Sequence, residues 1–269
     1  MRKQISSVQN PYIKELFLLK EKSRIRKKTQ TFLIEGLREI SLALKGGYTI
    51  KTLLIDLSII DEPALNNLLE STSLEIEVIE ITSQIHQKLA TRTTTEGVLA
   101  VAISKDLALD TIEFKTENPF ILVAEAPEKP GNIGALLRTA DAAGIDAVFI
   151  ANPKTDLYNP NIIRSSVGCL FTTTIATGTT SEIISFLKER KINIYGAALS
   201  ASVEYQTIDF KKSAAIVVGT EATGLTNEWL ENTTKNIIIP MRGAIDSMNV
   251  SVSAAIILFE AVRQRVLQR

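Results

Sequence analysis

Phe120-Ile-Leu-Val-Ala-Glu-Ala-Pro-Glu-Lys-Pro-Gly-Asn-Ile-Gly-Ala-Leu-Leu-Arg138 decides how this chain is read. An unbroken apolar run, Phe120–Ala124, is the signature of a strand buried on both faces. Two prolines and two glycines then turn the chain, and a helical pattern, Ile133–Ala143, begins near Asn132. Glycines allow close backbone approach, and free N–H groups at a helix start favour an anion. The spacing is neither G-x-G-x-x-G nor a Walker loop, so no nucleotide fingerprint applies. Arg138 falls two turns into the helix, facing either a ligand or solvent.

The same grammar repeats on the C-terminal side. Apolar strands are expected at 147–150, 172–175, 192–195, 215–218 and 237–239, with helices at 162–169, 181–190 and 252–267. Buried strands alternating with helices predict a parallel sheet covered on both faces. Ligands then bind beyond the carboxyl ends of the strands. Two further loops there stand out. In Ile216-Val-Val-Gly-Thr-Glu-Ala-Thr-Gly-Leu225, Glu221 sits between two glycines and either faces a ligand or caps a short helix at 227–230. In Ile237-Ile-Ile-Pro-Met-Arg-Gly-Ala-Ile-Asp-Ser-Met-Asn-Val-Ser-Val252, capping accounts for one of Ser247, Asn249 and Ser251, less readily for all three.

Toward the N-terminus lies a smaller α/β pattern. Asn10 and Pro11 start a helix to about residue 22. A strand at Phe32–Ile34 precedes a helix that Gly46 and Gly47 stop. Further strands are expected at 53–55, 76–81 and 98–101, with a helix at 63–69. The expected division is a basic arm or helix at 1–28, a small domain at 29–104, a polar linker at 105–117 and the parallel-sheet domain at 118–269.

Net charge is zero, yet residues 1–28 hold nine basic side chains against two acidic ones, which leaves the remainder at −7. Such asymmetry points to a polyanionic partner or to a solvated helix face. No apolar run approaches the ~20 residues of a membrane span, and no apolar leader follows Met1. With one cysteine, Cys169, no internal disulfide forms, and the cytoplasm is the expected compartment. His86 and Cys169 are isolated and read as structural, so no metal site is expected.

Taken together, the three loops resemble motifs one to three of the SpoU/TrmH branch of the SPOUT RNA methyltransferases. The matching residues are Asn132-Ile-Gly-Ala-Leu-Leu-Arg138, Gly219-Thr-Glu-Ala-Thr-Gly-Leu225, and Ile239-Pro-Met241 with Gly243 and Ser247-Met-Asn-Val-Ser251. Arg164-Ser-Ser-Val-Gly168 resembles the family's stretch between motifs one and two. Phe32-Leu-Ile-Glu-Gly36 and Thr95-Glu-Gly-Val-Leu-Ala-Val101 resemble its N-terminal substrate-binding domain, related to RNA-binding ribosomal proteins. Two departures occur. Pro127-Glu-Lys-Pro-Gly131 replaces the usual Asp-Pro before the motif-one Asn, and Met248 replaces Leu in motif three.

The resemblance implies an α/β fold whose C-terminal domain is a deep trefoil knot, with roughly 216–269 threaded. It implies a homodimer that methylates a ribose 2′-hydroxyl of structured RNA, ribosomal RNA favoured over transfer RNA, with S-adenosylmethionine as donor. Arg138, Asn132, Glu221, Asn249 and Ser251 become the expected catalytic group. Leu199, Gly219, Leu225, Ile239, Met241 and Met248 become the expected cofactor contacts. The competing readings are a noncatalytic RNA-binding protein and a nicotinamide-dependent oxidoreductase.

Overall fold

The computed structural model describes residues 2–70, 76–199, 202–220 and 222–266. In chain order the elements are β1 (Lys3–Ile5), α1 (Pro11–Glu21), α2 (Ser23–Thr29), β2 (Thr31–Glu35), α3 (Leu37–Lys45), β3 (Ile50–Ile55), α4 (Glu62–Glu70), β4 (Glu77–Ile81), α5 (Ser83–Leu89) and β5 (Val98–Ile103). Then come β6 (Phe120–Glu125), α6 (Pro130–Ala143), β7 (Ala147–Ala151), α7 (Pro160–Ser165), β8 (Ile175–Gly178) and α8 (Thr180–Glu189). The chain closes with β9 (Asn193–Ala197), β10 (Ser202–Glu204), β11 (Ala214–Val218), α9 (Asn227–Asn232), β12 (Lys235–Ile238) and α10 (Val250–Val266). Among the described residues no helix is long and apolar enough to cross a membrane.

The chain divides into two compact units. The first comprises Met1–Lys105 with Asp156–Thr172. Its sheet has the order β1-β4-β3-β5-β2, parallel across β1, β4 and β3 and antiparallel at β5. Asn10 caps α1 by accepting from the Tyr12 N–H at 2.9 Å, and Pro11 supplies the preset first-turn φ. The helix then buries Ile13, Leu16 and Leu19 at helical spacing against Leu54, Ile79 and Leu99. Each such side chain contributes about 1.5–3 kcal/mol from burial.

The basic N-terminal stretch is built into this unit. β1 pairs with β4, placing Lys3 opposite Ile79 and Ile5 opposite Ile81. Arg26 is 5% exposed, pairs with Asp156, and donates to the carbonyls of Leu19 and Lys20 at 2.8 and 2.9 Å.

The second unit comprises Asp106–Thr155 with Thr173–Arg269. Its seven strands, ordered β10-β12-β9-β11-β6-β7-β8, are parallel at every pairing. α8 and α9 cover one sheet face, packing Ile183, Leu187 and Trp229 on Ile121, Val123, Phe149 and Val217. α6 and α10, whose buried residues are not part of that cluster, pack on each other. β6 leads outward to β7 and β8, whereas β11 lies on its other side. The carboxyl ends of β6 and β11 are therefore a topological switch point, where a parallel sheet opens a crevice.

Several elements depart from the sequence reading. β1, α2, α5 and β10 were not expected; all are short, with too few apolar positions to show a period. The helix expected at 162–169 stops at Ser165, because Val167 and Gly168 both have positive φ, and a 3-10 turn follows at Cys169–Phe171. The strand expected at 172–175 accordingly shifts to Ile175–Gly178. Asp156–Thr172, expected in the second domain, belongs with the first unit. There Tyr158 stacks on Phe32 at 4.3 Å and Phe171 meets Tyr48 edge-on at 5.1 Å. Gly46 is held to a hydrogen side chain by that packing, since a Cβ would stand 2.0 Å from the Phe171 carbonyl oxygen. The expected linker runs along β8, where the Thr177 N–H donates to the Leu107 carbonyl at 2.7 Å, and Ile112 enters the second core.

Candidate functional site

Among the described residues, the expected site residues lie beyond, or enter from, the carboxyl ends of β6, β9, β11 and β12, which are neighbours in the sheet. Gly219 follows β11 directly. A Cβ there would stand 2.1 Å from the Gly224 carbonyl carbon, so the position admits only glycine. Thr220 and Gly224 exchange backbone bonds at 3.1 and 3.2 Å and close the loop on itself. Thr220 Oγ1 also accepts from the Thr223 N–H at 3.0 Å. Gly224, with φ +69°, completes the turn. Glu221, between them, lies outside the described residues.

Glu125, a residue the sequence reading passed over, ties this loop to β6. It ends an apolar strand and is 2% exposed. Its carboxylate accepts from the Thr226 N–H at 2.9 Å and the Thr226 hydroxyl at 2.8 Å. A buried carboxylate requires such partners. The available signal was a lone acid closing an otherwise apolar strand.

The third loop delivers Asn249 to α6. Asn249 caps α10: its Oδ1 accepts from the Ser251 N–H at 2.9 Å and the Ser251 hydroxyl at 2.6 Å. Its Nδ2 donates to Asn132 Oδ1, at the start of α6, at 3.1 Å. Three expected residues, Asn132, Asn249 and Ser251, thus form one connected group where two packed helices begin. Arg138 stands on α6 six residues beyond Asn132, about 9 Å of rise and roughly 120° around the axis. It is exposed, and its guanidinium has no hydrogen-bond partner among the described residues. No hydrogen bond joins it to the asparagine pair.

Of the expected cofactor contacts, Leu225 is buried under Gly196, while Ile239, Met241 and Met248 are half-buried. Leu199, after β9, is 60% exposed. From Met241 to Met248 no backbone N–H has a partner among the described residues. Nothing lies within 4 Å of where a Cβ would stand on Gly131, Gly224 or Gly243. Open main chain beside half-buried apolar side chains suits a ligand with an aromatic base, hydroxyls and an amino-acid end. These residues therefore fit S-adenosylmethionine by backbone recognition.

The chain also matches known sequences. The SpoU rRNA Methylase family matches residues 119–259. The chain belongs to that family. An MRM3-like substrate binding domain matches residues 10–100. The 23S rRNA (guanosine(2553)-2′-O)-methyltransferase of Bacillus subtilis is 32% identical over 257 residues, covering 96% of this chain and 98% of the relative. The 23S rRNA (uridine(2479)-2′-O)-methyltransferase of Streptomyces viridochromogenes is 30% identical, covering 91% and 86%. The crystal structure of an AdoMet-bound rRNA methyltransferase from Sinorhizobium meliloti superposes with a TM-score of 0.89 at 28% identity, covering 97% of each chain.

Proposed function

We propose that this chain transfers a methyl group from S-adenosylmethionine to a ribose 2′-hydroxyl of ribosomal RNA. The observation that carries the reading is the pairing of Asn249 with Asn132, which ties the start of α6, the helix that carries Arg138, to the loop after β12 at the switch point. The two full-length relatives act on a guanosine and a uridine, so the ribose and not the base is the shared target.

The sulfonium donor brings a methyl group already activated for transfer. The ribose hydroxyl needs alignment and a destination for its proton. A guanidinium donates hydrogen bonds and accepts none, so Arg138 serves as a clamp and not as a base. It grips an RNA phosphate and stabilises the alkoxide as the O–CH3 bond forms and the S–CH3 bond breaks. The proton leaves to phosphate or water. Asn132 and Asn249 fix the ribose edge and the α6 start, and Ser251 locks the Asn249 rotamer. Glu221 joins them in supporting the arginine. Leu199, Gly219, Leu225, Ile239, Met241 and Met248 hold the donor.

The finer architecture is read the same way. Insertion of β11 between β6 and β9, with α10 returning onto α6, supports the trefoil knot in the C-terminal segment. α10 exposes Val252, Phe259 and Val266, spaced by seven, at 47%, 47% and 59%. An apolar heptad stripe supports pairing with a second copy. Cytoplasmic residence follows from the ribosomal substrate.

Titration calorimetry separates this reading from its rivals. S-adenosylmethionine binds and NAD does not; binding of NAD alone, or of neither, overturns it.

A further inference from the structure

α2 and the residue before it carry four exposed cations that the fold does not use. Lys22 precedes the helix as its cap residue without a capping bond, Arg24 is in the first turn, and Lys27 and Lys28 are in the last. None of the four side chains has an ion-pair or hydrogen-bond partner among the described residues. Local stability accounts for them only in part, since Lys27 and Lys28 in the last turn complement the helix dipole but Lys22 and Arg24 at its start do not. A cation in the first turn opposes the helix dipole. Arg24, Lys27 and Lys28, spaced i, i+3 and i+4, share a face and repel one another by a few tenths of a kcal/mol per pair. Arg26, in the same run, shows how this fold treats a cation that it needs structurally: it is buried, paired with Asp156 and bonded to two carbonyls. That anchor fixes the rotation of α2, so its neighbours face outward.

We infer that the outer face of α2, carrying Arg24, Lys27 and Lys28 with Lys22 at its edge, is a phosphate-docking surface for the substrate RNA, positioned by Arg26. The inference rests on the RNA-directed reading above and adds the surface that holds the RNA away from the reacting ribose. Residues 10–100, which match a substrate-binding domain, include this helix. Phosphate contacts position a nucleic acid without reading its sequence and release counterions as they form.

The test compares wild type, R24Q/K27Q/K28Q, the charge-preserving R24K/K27R/K28R, and K45Q/K51Q/K88Q as an equal charge loss elsewhere on the unit. The readout is methyl transfer to large ribosomal RNA across a salt series. In the glutamine variant KM for RNA rises roughly tenfold or more near 0.15 M salt, and the log–log salt slope falls by about 2. Its kcat at saturating RNA and its S-adenosylmethionine affinity stay at wild-type values. The charge-preserving variant retains wild-type KM, and the control changes KM little. An active wild type with unchanged KM and slope in R24Q/K27Q/K28Q overturns the inference, as does an equal loss in the control. A wild type that methylates no RNA overturns the functional reading instead.

Discussion

Asn249 performs two tasks that substitution can separate. Its Oδ1 caps α10 through Ser251, and its Nδ2 holds Asn132 on α6. Asn249→Ala removes both. Loss of an N-cap costs ~1 kcal/mol, and loss of an amide–amide bond costs about 1 kcal/mol more. A change of about 2 kcal/mol lowers Tm by roughly 4–8 °C in a domain of this size. Asn249→Ser keeps a cap of equal quality but cannot reach Asn132, so it loses about 1 kcal/mol and roughly half that Tm shift. Activity divides differently. Misplacing the α6 start by about 1 Å costs on the order of a hundredfold in methyl transfer, whichever residue releases it. Thermal unfolding and single-turnover methyl transfer on the two variants settle the matter. Equal Tm losses would refute the capping role, and wild-type activity in Asn249→Ser would refute the bridge.

Gly219→Ala places a methyl group against the Gly224 carbonyl and forces the Thr220–Gly224 loop open. Calorimetry should record weakening of S-adenosylmethionine binding by at least about tenfold, with about 1–3 kcal/mol lost from stability; unchanged affinity contradicts the site as drawn. His86 is fully buried, neither ring nitrogen has a partner among the described residues, and burial holds its pKa below the usual value against the opposing pull of Asp56 and Glu35. The unfolded chain therefore binds a proton that the folded chain refuses. Stability is complete above about pH 6.5 and falls as pH drops from there toward the folded value. Denaturant midpoints measured across that window decline in wild type and flatten in His86→Leu, the sole histidine having been removed. Equal slopes would contradict the argument.

The central strands were legible because burial on both faces writes continuous apolar runs: the 120–124 and 215–218 strands form within a residue of their expected limits. Asn10 and Pro11 marked a helix start through a capping side chain and a preset φ, and Gly47, at φ +69°, marked a helix end. The segment at 156–172 was not legible. Nothing in the sequence links Tyr158 and Phe171 to Phe32 and Tyr48, and only tertiary packing shows that they are partners. The basic run likewise hid a division of labour, since sequence alone does not distinguish the buried Arg26 from the exposed Arg24. Within the site, Asn249 and Ser251 stood out in a polar run and Asn132 through motif resemblance, but the bond from Asn249 to Asn132 spans 117 residues. Glu125 escaped because its partner, Thr226, is 101 residues away in sequence.

The most direct test is transfer of labelled methyl from S-adenosylmethionine to large ribosomal RNA by wild type and Arg138→Ala, with donor affinity measured in parallel and the modified position mapped. Wild type should label a ribose 2′-oxygen. Arg138→Ala should lose roughly a hundredfold or more in rate, the scale of removing one preorganised donor to a developing oxyanion, while binding the donor normally. Near-wild-type turnover in Arg138→Ala, or a methyl group mapped to a base, would contradict the account.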